Sequence, residues 1–512
     1  MSIAEIPNSV GELLRRSARR FGDKTALVFD GERLSFRQLD EASTRAAAGL
    51  RRMGVLPGEA VALYSPNAPE WIIGYYAAMK LGAVVTPLNL MLTAEEAAFA
   101  LNDCGAVAVI GSHDRIARLA PLLAKTHLRH RIAFGGQLPL GAVDFSSLLN
   151  AGADDFVLPP VDTEAVCTVC YTSGTTGHPK GAALTHRAIL MNTAMTATMH
   201  ARTAADTVVS ALPCSHVYGN IVMNGAIAYG MTLVMHAVFD VERVLQSVEA
   251  NQATMLEGVP TMYMYILNHP KARHFDVSSL TRCTVGGQTM PESKMRQVEA
   301  LFGCPLIELW GMTELGGLGT THGFYGPRKL GSIGIALPHV HVRIADPQEP
   351  ERELGSGEVG ELQVRGPITM REYVGRAEAT AQALLPGGWL RTGDLARVDE
   401  DGFIFVVDRL KDMIITAGFN IYPAELERAI AEHPGVAMVV VGPMRDEIKG
   451  ELAKAYVVAK HGIALDPVDL ERHCRERLAA YKVPRAFQVV TDLPKTSSGK
   501  VLRRELHTLD PR

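Results

Sequence analysis

The segment Tyr171–Gly181, YTSGTTGHPKG, contains three glycines, four hydroxyl residues and one lysine, and it directly follows an apolar run that predicts a buried strand. Glycine lets backbone N–H groups approach an anion closely, hydroxyl groups donate to phosphate oxygens, and Lys180 adds a positive charge. This composition indicates a loop that binds phosphate groups. A plain surface loop is the alternative that composition alone leaves open, since such residues are common in loops.

Two better-known phosphate motifs do not match. A Walker A loop counted from Gly174 would have Pro179 at its second glycine, and Gly181 stands where Ser or Thr must follow the lysine. The dinucleotide pattern fails as well, because Gly317-Leu318-Gly319 is followed by His322 at the third glycine position. The sequence therefore excludes both motifs at these positions.

Composition places the chain among ordinary globular proteins. Its 512 residues predict about three domain equivalents, and 47% hydrophobic with 21% charged residues excludes a disordered or fibrous chain. The 51 Lys and Arg residues against 55 Asp and Glu residues leave a net charge of −4, so nucleic acid is not an expected partner. Any polyanion must be held by a local site.

The seven cysteines are an odd number, thinly spread, and predict a reducing cytoplasm rather than a disulfide framework. Cys167 and Cys170 have CxxC spacing but lack a second ligand pair, so we expect small apolar residues on a buried strand. The N-terminus lacks the pattern of a signal peptide. The apolar stretch Trp71–Leu90 is broken by Lys80, which predicts a buried helix and strand and no transmembrane segment.

Helical and strand-like segments alternate along most of the chain, which predicts an α/β fold with largely parallel sheets. Short strands punctuated by Gly and Pro from about Gly331 predict a β-rich subdomain, and the last hundred residues predict an α+β unit. We expect the main boundary at residues 408–412, dividing the chain into an N-terminal domain, 1–408, and a C-terminal domain, 409–512.

Further motifs make the chain similar to one family. YTSGTTGHPKG resembles the signature loop of the adenylate-forming superfamily of acyl-CoA synthetases, adenylation domains and firefly-type luciferases. The other family motifs follow in the right order: LPCSHVYG at 212–219, GGQTMP at 286–291, WGMTE at 310–314, GSIGIALP at 331–338, WLRTGDL at 389–395, DRLKDMIITAGFNIYPAELE at 408–427 and LPKTSSGK at 493–500.

The resemblance implies roles for single residues. Lys500 would bridge the substrate carboxylate and the α-phosphate, His216 would flank the carboxylate pocket, and Thr313 would contact the α-phosphate. Glu314 would hold Mg²⁺. The ATP contacts would come from Thr172, Ser173, Gly174, Thr175, Thr176, Gly177, Lys180, Gly287, Gln288, Trp310, Gly311, Met312, Asp394 and Arg409. In isolation each of these has an ordinary structural alternative, such as a core tryptophan or a solvated lysine.

Two positions would serve the second half of the reaction. Lys411 resembles the family hinge, about which a small mobile C-terminal domain would swing after the acyl-adenylate forms. Gly418 would line the channel for the pantetheine arm of coenzyme A. The sequence departs from the family pattern at Ala417, where a second glycine is frequent, and at Gln288, where alanine is frequent.

The implied function is an ATP-, Mg²⁺- and coenzyme A-dependent acyl-CoA synthetase. The pocket would be formed by residues 216–228, Tyr263 and the segments at Gly286 and Trp310, without an obvious cation for a second carboxylate. This favours a monocarboxylic medium- or long-chain fatty acid, with a cinnamate- or benzoate-type acid as the alternative. An acyl-AMP ligase that loads a carrier protein, a luciferase-like oxygenase and a non-catalytic nucleotide-binding protein are the competing classes. The sequence leaves a homodimer open.

Overall fold

The structure is a computed structural model that describes residues 7–150, 152–153, 155–172, 179–416, 419–446, 450–496 and 499–510. The first elements are α1 Val10–Phe21, β1 Thr25–Phe29, β2 Glu32–Ser35, α2 Phe36–Arg52, β3 Ala60–Tyr64, α3 Pro69–Leu81, β4 Val84–Pro87, α4 Ala94–Asp103, β5 Ala106–Ser112, α5 His113–Leu119, β6 His130–Phe134, β7 Val143–Asp144 and α6 Phe145–Leu149.

The central part contains β8 Val166–Thr172, β9 Lys180–Thr185, α7 His186–Met199, β10 Thr207–Ser210, α8 Val217–Tyr229, β11 Thr232–Met235, α9 Val241–Ala250, β12 Met255–Gly258, α10 Pro260–Asn268, β13 Arg282–Gly286, α11 Glu292–Phe302, β14 Leu306–Met312 and β15 Gly317–Thr321.

The remaining elements are β16 Ile335–Ala336, β17 His341–Ala345, β18 Gly360–Arg365, β19 Glu372–Tyr373, α12 Ala377–Ala383, β20 Leu384–Leu385, β21 Trp389–Val398, β22 Ile404–Arg409, β23 Ile414–Thr416, β24 Phe419–Ile421, α13 Pro423–Ala431, β25 Val436–Asp446, β26 Gly450–Ala459, α14 Pro467–Arg475 and β27 Ala486–Val490. Short 3₁₀ helices cover Ala120–Lys125, Ala272–His274, Thr313–Leu315, Pro386–Gly388 and Arg503–Leu509.

Two large sheets form the N-terminal part. Among the described residues, one has the order β19-β9-β8-β4-β3-β5-β6-β7 and the other β16-β15-β14-β13-β12-β10-β11-β1-β2. Their central strands pair in parallel, as the alternation of helices and strands predicts, whereas β8–β9, β14–β15 and β1–β2 are antiparallel. One continuous hydrophobic core includes α1, α2, α3 and α8 between the sheets.

Local sequence signals account for the start of this unit. Ser9 accepts a hydrogen bond from the N–H of Glu12 and caps α1, and Gly22 ends this helix at φ +51°. Asp30 and Gly31 both have positive φ, as a two-residue hairpin turn requires. Ser35 and Gln38 form a capping box at α2. Capping residues and an Asp-Gly pair at these positions predict the two helix starts, the end of α1 and the hairpin turn from the sequence, and the structure confirms them.

The charge inside the apolar stretch 71–90 has a structural explanation. Lys80 lies on α3 and is almost completely buried, and its Nζ donates to Asp40 Oδ1 at 2.5 Å, Ser43 Oγ at 2.8 Å and Thr44 Oγ1 at 2.9 Å. Burial nevertheless lowers the pKa of Lys80 to about 8. Within the described residues, no helix is long and apolar enough to cross a bilayer.

Smaller sheets complete the chain. Strands β17, β18, β20, β21 and β22 form the β-rich subdomain, and β23 to β27 form a separate sheet with α13 and α14. The expected fold class is therefore confirmed: a large N-terminal α/β domain followed by a smaller α+β domain. The exact division at 408/409 stays a prediction; strand β22 ends at Arg409, and the last sheet begins at Ile414.

Candidate active site

Strands β8 and β9, which flank the predicted phosphate loop, pair antiparallel. Strands β8 and β9 pair in register up to Thr172 and Lys180, which are opposite each other. Cys167 and Cys170 lie buried on β8, as expected. The residues predicted to hold phosphate between the two strands, namely Ser173, Gly174, Thr175, Thr176 and Gly177, lie outside the described residues, as does Gly418.

Tyr373 joins the end of this hairpin to Glu314. Its hydroxyl donates to Oε1 of Glu314 at 2.7 Å, and the ammonium group of Lys180 lies 5.4 Å from the centre of its ring. Tyr373 reaches this position because β19 pairs with β9, opposite Ala182. The sequence reasoning missed Tyr373, since it belongs to none of the motifs and its partners are distant in the chain.

Glu314 has the character of a ligand for a hard cation. Its carboxylate is buried, and burial raises its pKa although the Tyr373 hydroxyl opposes this rise. A buried carboxylate is stabilised by a divalent cation. Mg²⁺ prefers carboxylate, phosphate and water oxygens, so the chemistry of Glu314 fits this ion.

Trp310, Asp394 and Arg409 form a second group. The indole N–H of Trp310 donates to Oδ2 of Asp394 at 2.7 Å, and Nε of Arg409 lies 3.3 Å from Oδ1. Strands β14, β21 and β22 supply these residues, with Asp394 opposite Arg409 in the β21–β22 register. Each carboxylate oxygen has two lone pairs, so Asp394 retains acceptor capacity for two hydroxyl groups.

The shape of the turn between Trp310 and Glu314 depends on its residues, above all on the glycine at position 311. The β14–β15 ladder is irregular between Trp310 and Gly311, and a Cβ on Gly311 would lie 2.0 Å from the carbonyl oxygen of Gly317. Met312 pairs with Gly317, and Thr313 begins the short 3₁₀ helix that contains Glu314. Any side chain at position 311 would therefore displace Thr313 and Glu314.

Lys500 extends from the C-terminal domain into the N-terminal domain. A Cβ on Gly287 would lie 2.8 Å from Cε of Lys500, and Gly287 has φ +92°. Burial lowers the pKa of Lys500 to about 8; the charge of Arg409 lowers it further, and Asp394 opposes the shift. The structure thus brings Lys500 to Gly287, within electrostatic reach of the Asp394–Arg409 pair.

His216 is the N-cap of α8, and its Nδ1 accepts the N–H of Tyr218 at 3.3 Å. Burial and the nearby charge of Lys500 lower the pKa of His216 to about 3, so its ring is neutral at pH 7. A neutral imidazole beside the lysine suits a pocket that receives one negative charge.

Gln288 has a different environment from the adenine contact that the resemblance implies. Its side-chain amide pairs with the backbone of Val501: Oε1 accepts the N–H at 3.2 Å and Nε2 donates to the carbonyl at 3.5 Å. This contact depends on the arrangement of the two domains, which no local sequence pattern reveals.

The predicted hinge, Lys411, is exposed in a turn after β22. Next to it, Oδ2 of Asp408 accepts the N–H of Ala424 in the first turn of α13 at 2.8 Å. Arg503 lies 3.7 Å from Asp412 and 2.8 Å from Glu427. Sequence reasoning missed this charged cluster around the hinge.

A buried ion pair underlies α8. Arg202 Nη2 and Glu257 Oε1 are 2.5 Å apart, and both side chains are essentially inaccessible. Glu257 Oε2 accepts the hydroxyl of Tyr218 at 3.1 Å, and Tyr218 is 2.6 Å from Thr284 Oγ1. The guanidinium group lies against Gly225, where a Cβ would approach Nη1 to 2.5 Å. Sequence reasoning missed this pair as well.

Two family models match this chain. Residues 14–374 match the family model described as AMP-binding enzyme, and residues 425–500 match the model of the AMP-binding enzyme C-terminal domain. The chain belongs to the AMP-binding enzyme family. Its membership in the adenylate-forming superfamily, expected from the motifs, is thereby confirmed.

Relatives within this family are named as CoA ligases. The chain is 35% identical to a long-chain-fatty-acid–CoA ligase of Bacillus subtilis, over 98% of this chain and 94% of the relative. It is 38% identical to a feruloyl-CoA synthase of an Amycolatopsis species, over 96% and 97% of the two chains. A solved anthranilate CoA ligase in complex with anthranoyl-AMP superposes with a TM-score of 0.93 at 25% identity, covering 99% of each chain.

The chain is an AMP-forming acyl-CoA synthetase, an acid–thiol ligase that acts through an acyl-adenylate. The acid is not identified by these comparisons, because the relatives named above act on acids as different as long-chain fatty acids and ferulate.

Proposed function

We propose that this synthetase activates an apolar monocarboxylic acid, a medium- or long-chain fatty acid in the first instance, at the site between Lys500 and the N-terminal domain. The observation that carries the proposal is the approach of Lys500 to Gly287 beside His216 and the Asp394–Arg409 pair. A carboxylate oxygen would attack the α-phosphorus of ATP there and displace pyrophosphate. The ammonium group of Lys500 would stabilise the charge that develops between the reacting groups.

The nucleotide would be held from several sides. Asp394 would accept the ribose hydroxyl groups, Arg409 would reach the ribose or a phosphate, and the ring of Trp310 would face the adenine. Thr313 would contact the α-phosphate. The remaining assigned contacts, at Gly287, Gly311 and Met312, would surround the base and α-phosphate, and the loop from Thr172 to Lys180 would hold the β- and γ-phosphates.

Glu314 would provide the protein ligand of a magnesium ion. A single carboxylate leaves most coordination positions to phosphate oxygens and water, which is how Mg²⁺ is commonly bound together with nucleotides. The ion would neutralise phosphate charge. Tyr373, which binds Glu314 and contacts Lys180, would keep the carboxylate and the loop lysine in a fixed relation.

The charges beneath α8 support an acid with one carboxylate. This helix is expected to form a wall of the acyl pocket, and its buried residues are uncharged. The cation that contacts it, Arg202, is already paired with Glu257. A second substrate carboxylate would have to compete with Glu257 for Arg202, and desolvation without a free partner is costly.

A hydroxylated aryl acid is the second candidate. The hydroxyl groups of Tyr218 and Thr284 and the carboxylate of Glu257 form a polar cluster beneath the same helix. An acid with a phenolic hydroxyl at its far end could exchange hydrogen bonds with this cluster, which a fatty acid cannot do. The 38% identity to a feruloyl-CoA synthase supports this alternative.

The second half-reaction would transfer the acyl group to coenzyme A. The thiol sulfur attacks the acyl carbonyl, the thiol proton is released and AMP leaves. Rotation about Lys411 would remove Lys500 and bring the segment at Gly418 to the channel. A carrier-protein thiol in place of coenzyme A is the competing acceptor, and the adenylation residues would be the same for both.

A panel of acids tests this proposal. Octanoate, decanoate, palmitate, benzoate, cinnamate and ferulate are each incubated with ATP and Mg²⁺, and AMP release is measured with and without coenzyme A. We expect the highest kcat/KM with decanoate or palmitate, and stimulation of AMP release by coenzyme A. A preference for ferulate would establish the second candidate, and absence of acid-dependent AMP release across the panel would contradict both.

A further inference from the structure

Lys500 lies in a segment with little regular structure, between β27 and the C-terminal 3₁₀ helix. Its own N–H donates to Thr496 Oγ1 at 3.0 Å, and its carbonyl accepts the N–H of Thr496 at 2.7 Å. A single bridge joins Lys495 and Val501. These local bonds shape a tight turn, but they do not determine where the turn lies on the N-terminal domain.

Two side chains of the N-terminal domain bind the residues on either side of Lys500. The hydroxyl of Thr261, on α10, donates to the carbonyl of Gly499 at 2.6 Å. The amide of Gln288, just after β13, accepts from and donates to the backbone of Val501. The domain contact thus has one polar side chain bound to the residue before the lysine and one bound to the residue after it.

The surrounding surfaces are closely fitted. A Cβ on Gly499 would lie 2.9 Å from Oγ1 of Thr261 and 3.0 Å from Cγ2 of Val259, and Gly499 has φ +82°. Gly287, whose Cβ would also face Val259, leaves room for the Lys500 side chain itself. The lysine backbone therefore approaches the N-terminal domain as closely as glycine allows.

Other contacts between the domains differ in how they relate to the lysine. Nζ of Lys294 donates to the carbonyl of Val436 at 3.2 Å, a bond that involves none of residues 495–501. The hydroxyl of Tyr265 binds both Asp492 and the ammonium group of Lys495, and Lys495 pairs with Val501. Lys294 therefore provides the control for a specific role of Thr261 and Gln288.

We propose that Thr261 and Gln288 are positioning residues that together hold Lys500 in register for adenylation. The proposal rests on the proposed role of Lys500. A lysine side chain has four rotatable bonds, and fixing the backbone on both sides removes the largest displacement of its ammonium group. Rate effects follow because misplacement by about 1 Å can cost about a hundredfold.

The test compares Thr261→Val and Gln288→Met, which keep size and lose hydrogen bonding, with Thr261→Ser, which keeps the donor. Lys294→Met is the matched control, since it removes an interdomain bond that involves none of residues 495–501. Acid-dependent ATP–pyrophosphate exchange is measured with decanoate, and with ferulate as the second acid. Conversion of the corresponding acyl-AMP to acyl-CoA is measured separately.

We expect Thr261→Val and Gln288→Met each to lower the rate of ATP–pyrophosphate exchange by about 3- to 10-fold, because each removes the contribution of about one hydrogen bond. The rate of acyl-AMP conversion should stay within twofold of the wild type. The pH above which the exchange rate falls should also increase, because a Lys500 that is exposed to solvent again has a higher pKa. Thr261→Ser and Lys294→Met should match the wild type. Equal loss of both half-reactions, or unchanged exchange, would overturn the positioning role.

Hydrogen–deuterium exchange of the substrate-free protein provides a second test, which does not depend on catalysis. Gln288→Met should speed amide exchange in the peptide that contains Val501 and leave peptides from β25 and β26 unchanged. Unaltered exchange there would contradict the contact itself. Absence of pyrophosphate exchange in the wild type would instead count against the proposed function, so the two failures are distinguishable.

Discussion

The indole N–H of Trp310 and the carboxylate of Asp394 are 2.7 Å apart, across 84 residues of sequence. The bond links β14, which leads to Glu314, with β21, which pairs with the strand that leads to the hinge. A hydrogen bond to a carboxylate contributes about 1.5–3 kcal/mol, so it fixes the orientation of the group expected to bind ribose.

Replacing this tryptophan isolates the bond. Trp310→Phe keeps an aromatic ring and loses the N–H, so we expect the KM for ATP to rise by about 10- to 100-fold, equivalent to one charge-assisted hydrogen bond. Steady-state kinetics at saturating acid measure this change. Trp389→Phe is the control, because Trp389 packs under Arg343 and Arg365 outside the site. An unchanged KM in Trp310→Phe would remove Trp310 and Asp394 from the nucleotide site.

Lys500→Ala should separate the two half-reactions. Loss of a positioned cation at the reacting phosphate is expected to lower ATP–pyrophosphate exchange by about 10²- to 10³-fold or more. Conversion of supplied acyl-AMP to acyl-CoA should continue at the wild-type rate. Lys454→Ala, which removes a lysine paired with Asp510 in the same domain, should leave both reactions intact. Equal loss of both half-reactions in Lys500→Ala would contradict a specific role of Lys500 in adenylation.

The pH profile of adenylation should carry the signature of the same lysine. Burial lowers the pKa of Lys500 to about 8, so the group is charged below this pH and neutral above it. We expect kcat/KM for pyrophosphate exchange to fall about tenfold per pH unit above 8, because this parameter reports the free enzyme. Lys500→Arg should lack this limb, since guanidinium stays charged. A flat wild-type profile to pH 10 would contradict the prediction.

Lys411→Pro tests the hinge. Proline fixes φ and restricts the preceding residue, so rotation at this position should be impeded. We expect pyrophosphate exchange to persist and acyl-CoA formation to fall by more than about tenfold. Lys411→Ala leaves the backbone free and should behave as wild type. If the proline variant forms acyl-CoA at full rate, the domains do not pivot here.

The ion pair beneath α8 should dominate the stability of its surroundings. Arg202→Leu leaves Glu257 buried without its cation, which costs about 3–5 kcal/mol of the free energy of unfolding. The double variant Arg202→Leu/Glu257→Leu removes both charges and should recover at least about half of this loss. Chemical denaturation of the N-terminal transition measures both. Equal destabilisation by the single and double variants would show that packing, not charge, determines the effect.

Sequence reasoning succeeded where the signal is local. Caps, hairpin turns and apolar periodicity gave α1, the β1–β2 hairpin and the buried α3–β4 unit, because each depends on neighbouring residues. It did not find Tyr373, the Arg202–Glu257 pair or the Asp408 contact with α13. These contacts depend on the order of strands in the sheets and on the arrangement of the domains. No pattern in the neighbouring sequence indicates either. The contact of the Gln288 side chain with Val501 was missed for the same reason.

Strand β19 has a consequence for how the molecule could be divided. In the sequence, β19 lies among the strands of the β-rich subdomain. In the structure it is the edge strand of the sheet that contains β8 and β9, which flank the predicted phosphate loop. A fragment ending before Glu372 would retain the loop, Trp310 and Glu314, but it would lose Tyr373, Asp394 and Arg409. The smallest unit able to bind a nucleotide by the proposed contacts therefore extends to Arg409, the last residue of β22, and the residues after it would supply Lys500 for the reaction.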